Sequence, residues 1–71
     1  MKVFADRFKE LRQETGLAQD KLALELKIGK STVSYYETER SEPTISVLNK
    51  IADYFDVSAD YLLGRTDFRK Y

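Results

Sequence analysis

The chain has 71 residues, with twelve Lys and Arg balanced by twelve Asp and Glu, and it contains neither histidine nor cysteine. That composition excludes disulfides, thiolate or imidazole metal sites and His- or Cys-based catalysis, and the length allows one domain near the lower limit for folding around a single core. Zero formal charge differs from the basic footprint usual in nucleic-acid binders, but binding responds to how charge is spread over a face rather than to its sum. The opening "MKVFADRFKELRQ" is too charged for a signal peptide, and no apolar run approaches a membrane span, so a cytoplasmic protein is expected.

Phe4, Phe8 and Leu11 recur at helical spacing among charged residues, which predicts an amphipathic first helix ended by Gly16. Leu22, Ala23 and Leu26 mark a second helix from about Ala18 to Leu26, and "KIG" then leaves room only for a tight turn. The third helix is expected from Lys30 to about Glu39, stopped by "RSEP". Thr44 can cap a fourth helix with Leu48, Ile51, Ala52 and Phe55 inward, and Ser58 can cap a short fifth closed by Gly64. Hydrophobic staples fit three of these starts: Leu17 with Leu22, Ile28 with Val33, and Val57 with Leu62. No stretch alternates as a strand would, so an all-α fold of five helices is predicted. The last residues, "RTDFRKY", read as a tail, giving a domain over 1–66 and a C-terminal tail over 67–71.

The third helix carries the functional signal. At 100° per residue, Val33 and Tyr36 fall roughly 60° apart and form its buried side, while Lys30, Ser31, Ser34, Tyr35 and Thr38 share an outward sector of about 140°. That sector holds hydroxyls, an ammonium and a phenol, without a carboxylate or a large aliphatic residue. The side chains are mostly short, so the backbone can approach a partner closely, and the tight turn before it lets the second helix brace it.

From Phe8 to Gly64 the sequence resembles the phage-repressor and Cro-type (Xre-like) helix-turn-helix family. The resemblance rests on an ordered set: Leu17 and Gln19, Leu22 and Ala23, "STVSYYE" at 31–37, Pro43, "LNKIADYFDVS" and "DYLLG". It implies a compact lambda-repressor-like domain whose second and third helices form the helix-turn-helix. It also implies a sequence-specific regulator of transcription, a repressor of phage or mobile-element type, that binds a double-stranded DNA operator as a homodimer. In such proteins the third helix enters the major groove, which assigns base reading to Lys30, Ser31 and Tyr35 with Ser34 beside them. Backbone contacts would fall to Gln19, Gly29, Thr32, Thr38 and Arg40. Arg12 and Glu37 match a pair that ties the first helix to the third. The dimer surface would be C-terminal, around Tyr61, Leu62, Leu63 and "FRKY", with Leu62 alternatively completing the core.

The sequence also departs from the family's pattern. Ala18 and Lys21 replace a capping-box Ser and Glu, Gly29 replaces a usual Ser or Thr, and Glu39 stands where glycine often closes the third helix. Glu39 and Glu42 bring negative charge toward the expected DNA surface. An enzyme is not expected: no phosphate loop or nucleophile constellation is present, and Asp53, Asp56 and Asp60 read as solvated and helix-end charges rather than metal ligands. No cofactor and no small-molecule site are expected. The rival is an adaptor or antirepressor acting through protein contacts, which would require an apolar patch on the outward face of the third helix.

Overall fold

The computed structural model describes residues 2–70. Helices α1 (Lys2–Thr15), α2 (Gln19–Leu26), α3 (Lys30–Glu37), α4 (Ile45–Phe55) and α5 (Ala59–Leu63) follow one another, and the described residues contain no strand. The fold is all-α with the five predicted helices.

The core forms where the apolar stripes converge. Phe4, Phe8, Leu22, Val33, Ile51 and Leu62 are fully buried, and Leu17, Ile28, Val47, Leu48, Phe55 and Val57 pack around them. Both members of each staple therefore meet the core. Phe4 and Phe8 stack at 5.4 Å, and the Tyr36 ring meets each edge-on at 5.9 Å, so α3 is held against α1 through its inner face. Burial pushes the Tyr36 phenol above its ordinary value of 10.0.

All five helices end the same way. A residue enters the left-handed region (Gly16, Lys27, Glu39, Asp56 and Gly64, φ from 55 to 79°), and the next N–H reaches the carbonyl five residues back. These bonds run from Leu17 to Arg12, Ile28 to Ala23, Arg40 to Tyr35, Val57 to Ala52 and Arg65 to Asp60. This is the Schellman closure, which satisfies orphan carbonyls and lays the second residue past the helix onto its last turn. It also makes α3 shorter than predicted: the helix stops at Glu37, since Glu39 takes the left-handed turn rather than continuing it. Glycine is required by more than φ at position 64, where a Cβ would stand 2.8 Å from Val3 Cγ1.

The helix starts differ in how they are capped. Thr44 and Ser58 accept from the N–H groups of Val47 and Tyr61, whereas Ala18 and Gly29 take the same extended backbone without a side-chain bond. Ala18→Ser places a hydroxyl on an already extended residue, so it is expected to stabilise the domain by about 0.5–2 kcal/mol. A urea titration in which the midpoint stayed put or fell would show that Ala18 is not the effective cap.

The C-terminal segment, which the sequence reads as a tail, is held against the helices. Residues 65–70 return across α1, where Arg7 donates to the carbonyls of Tyr61 and Thr66 (2.5 and 2.7 Å) and to Asp67 (2.9 Å). Arg69 pairs with Glu10 and Glu14, its carbonyl accepts from Ser58 N–H at 2.6 Å, and Lys70 pairs with Asp56. The Arg7 and Arg69 guanidinium groups lie 4.2 and 5.6 Å from the Tyr61 ring centre. Hydrogen bonds from Arg69 hold the Glu14 carboxyl below its ordinary range. Tyr71 lies outside the described residues.

Candidate nucleic-acid interface

The side chains that face solvent on α3 are Lys30, Ser31 and Tyr35, with Thr38 just beyond its last turn; Thr32 and Ser34 are half-buried between them. Val33 and Tyr36 lie beneath, at 0% and 5% exposure, so the helix cannot rotate about its axis without opening the core. Gly29 leaves the N-terminal amides of α3 uncovered by a capping side chain, which suits an anion there. Its φ of −71° does not require glycine, but a Cβ would meet Thr32 Oγ1 at 3.2 Å.

A polar tie fixes the pitch of α3 against α1 and α2. Arg12 Nε and Nη2 donate to the two oxygens of Glu37 at 2.6 and 3.1 Å, and Nη1 donates to the Leu17 carbonyl at 2.8 Å. Gln19 Nε2 donates to Glu37 Oε1 at 3.0 Å. Glu37 thus joins Arg12 from α1 with Gln19 from α2, and its side chain is 3% exposed. One amide proton of Gln19 is thus used inside the fold, and the same nitrogen carries a second.

The remaining predicted contacts have partners of their own. Thr38 gives its single hydroxyl proton to the Ser34 carbonyl at 2.9 Å, so donation to a phosphate requires the hydroxyl to turn outward. Arg40 lies past the Schellman turn with its guanidinium carbon 5.5 Å from the Tyr35 ring centre.

Charge is distributed unevenly despite the neutral sum. The ion pairs among the described residues lie on α1, α5, the C-terminal segment and the Arg12–Glu37 tie. Lys27, Lys30 and Arg40, which precede, open and follow α3, are exposed and have no carboxylate ion-pair partner among the described residues, so positive charge is directed to solvent at both ends of that helix. Glu39 follows at the left-handed turn. A non-glycine residue there costs about 1–2 kcal/mol, part of which glycine's larger unfolded-state entropy offsets. Glu39→Gly is therefore expected to raise stability by up to about 1 kcal/mol, and a lowered thermal midpoint would contradict the strain at this turn.

A family model described as helix-turn-helix matches residues 8–62, spanning α2 and α3 with the helices that brace them. The chain belongs to the phage-repressor and Cro-type helix-turn-helix family. The HTH-type transcriptional regulator ImmR of Bacillus subtilis (strain 168) is 39% identical over 64 residues, 90% of this chain and 50% of its own length. Two more proteins of that organism are similar: an uncharacterized HTH-type transcriptional regulator, YobD (37% over 65 residues, 92% of this chain and 58% of its length), and the HTH-type transcriptional regulator AnsR (40% over 60 residues, 84% and 52%). The chain spans a little over half the length of these relatives or less. None of its described helices is long and apolar enough to cross a membrane.

Of the residues expected on a C-terminal dimer surface, Leu62 takes the alternative place given for it, in the core, and Tyr61 lies there too, at 0% and 6% exposure, whereas Leu63 and Phe68 reach solvent at 38% and 77%. Sequence reasoning missed Arg7 and Arg69 altogether, because their partners lie up to 60 residues away in the chain and no local spacing signals them. Lys50 was missed too; its ammonium caps α2 by donating to the Leu26 carbonyl at 3.3 Å.

Proposed function

We propose that this chain is the operator-binding part of a transcriptional repressor of phage or mobile-element type, working in the cytoplasm and reading the DNA major groove with α3. The observation that carries this reading is the outward sector of α3. Lys30, Ser31 and Tyr35 stand together on a helix anchored beneath by Val33 and Tyr36, and no carboxylate opposes them among the described ion pairs. Lys30 and the hydroxyls supply donors for base edges, while Gln19, Gly29, Thr32, Thr38 and Arg40 surround them as candidates for phosphate contact. One such helix covers only a few base pairs, so two copies on half-sites centred about 10 base pairs apart give the specificity an operator needs. Leu63 and Phe68 are the exposed apolar residues left for that pairing. The adaptor reading needs an apolar outward face on α3, and the sector contains no aliphatic side chain.

Selection of bound duplexes from a random pool tests the proposal directly. A paired motif with about 10-base-pair spacing, and affinity that falls with salt, is expected. Recovery of no enriched sequence, with binding absent at low salt, would hand the chain to the protein-contact reading.

A further inference from the structure

We propose that Arg40 is a positioning residue for base reading, one that fixes the Tyr35 ring on the outward face of α3 as well as holding a phosphate. The inference rests on the reading of α3 given above and extends it to a residue that the family resemblance assigns to the DNA backbone. The Schellman closure is the cause. It brings the second residue past a helix onto the last turn, and the pairs it creates elsewhere in this chain show what that contact becomes. In α2 and α4 it bonds the Ile28 and Val57 N–H groups to the Ala23 and Ala52 carbonyls, and in α5, where Arg65 N–H bonds the Asp60 carbonyl, the two side chains also pair at 3.6 Å. At the end of α3 the same closure joins Arg40 to Tyr35: the Arg40 N–H bonds the Tyr35 carbonyl at 2.8 Å, and the Ser41 N–H reaches the same oxygen at 3.4 Å. The guanidinium then lies over the phenol ring, 5.5 Å from its centre, within cation–π range.

Tyr35 has few other constraints. It is 41% exposed, and its ring takes part in no ring–ring contact among the described residues, unlike Tyr36, which meets both Phe4 and Phe8. A tyrosine free at χ1 samples separate staggered wells and offers its hydroxyl to different base steps. One held from above by a planar cation offers it to one step. The left-handed residue between the two is Glu39, so the same turn that ends the helix orients its reader. Arginine is better suited, since its flat guanidinium stacks on the ring while its charge remains available to a phosphate, whereas lysine offers a flexible, strongly hydrated point charge that holds the ring less firmly.

The test separates these two roles by titrating the full chain, as wild type, Arg40→Lys, Arg40→Ala, Tyr35→Ala and the Tyr35→Ala/Arg40→Lys double variant. The probes are the selected duplex and its single-base variants, at several salt concentrations. Tyr35→Ala defines the base pair that Tyr35 reads. Arg40→Lys is expected to leave the salt slope unchanged while lowering discrimination at that base pair about two- to five-fold, the equivalent of an exposed cation–π contact. Adding Arg40→Lys to Tyr35→Ala should remove no further discrimination. Three-bond couplings of Tyr35 in the free protein give a second readout: one χ1 rotamer in the wild type, averaging in Arg40→Lys. Discrimination preserved in Arg40→Lys while Tyr35→Ala loses it overturns this inference alone, as do identical Tyr35 rotamer populations. Discrimination untouched by Tyr35→Ala overturns the base-reading role of Tyr35 together with it.

Discussion

Arg12→Ala is expected to bring the domain close to unfolding at room temperature. The substitution leaves the Glu37 carboxylate, 3% exposed, without its bidentate partner, and stranding one member of a buried pair typically costs about 3–5 kcal/mol. A 71-residue domain has roughly 4–10 kcal/mol in total, so this single loss approaches the whole. Gln19 still donates one bond to Glu37, which offsets only part of it, and the Leu17 carbonyl loses its Arg12 donor. The double change Arg12→Met with Glu37→Leu should recover much of the loss, because apolar groups of similar volume carry no desolvation penalty. Recovery stays incomplete, since the Gln19 amide and the Leu17 carbonyl must then turn to water. Urea unfolding of the two single variants and the double measures this coupling. Additive losses would mean that Arg12 and Glu37 contribute independently, and the tie would not be what sets the pitch of α3.

The features legible in the sequence are local ones. Thr44 and Ser58 announce the starts of α4 and α5 because a hydroxyl before an apolar period has one good use, and the staples at Leu17 and Ile28 place the starts of α2 and α3, with Val57 marking that of α5 a second time. Gly16 and Gly64 announce helix ends for the reason that left-handed backbone is cheap only for glycine. Lys27, Glu39 and Asp56 take the same conformation with no residue type to signal it, which is why the predicted end of α3 ran two residues long. The outward sector of α3 could be read from angle alone, since an amphipathic helix leaves only one face outside. The clasp of Arg7 and Arg69 around Tyr61 could not. It joins residues whose approach depends on where α1 and α5 come to rest, and a charged heptapeptide at a chain end looks solvated until its partners are in place. Arg12 and Glu37 are 25 residues apart in the chain, beyond any local rule, and only the family pattern pairs them.

Lys30→Ala is expected to weaken binding to the selected operator by about 1–3 kcal/mol and to relax preference at one or two base pairs. Lys30 opens α3 on its exposed side, and it has no carboxylate partner among the described residues, so its ammonium needs no rearrangement to reach guanine O6 and N7. Tyr35→Ala should cost a similar amount at a different base pair, one helical turn further on, where the hydroxyl donates to a base edge or the ring packs on a thymine methyl. Gln19→Ala should behave otherwise. A phosphate contact carries no direct sequence information, so operator and scrambled duplexes should weaken together. Removing Lys30 also deletes a positive charge, and a purely electrostatic contribution would lower both duplexes and flatten the salt dependence by about one unit of slope. The distinction therefore lies in the ratio of the two affinities rather than in either alone. Titrations of each variant against both duplexes at several salt concentrations give that ratio. A ratio unchanged in Lys30→Ala and in Tyr35→Ala would mean that α3 holds DNA without reading it.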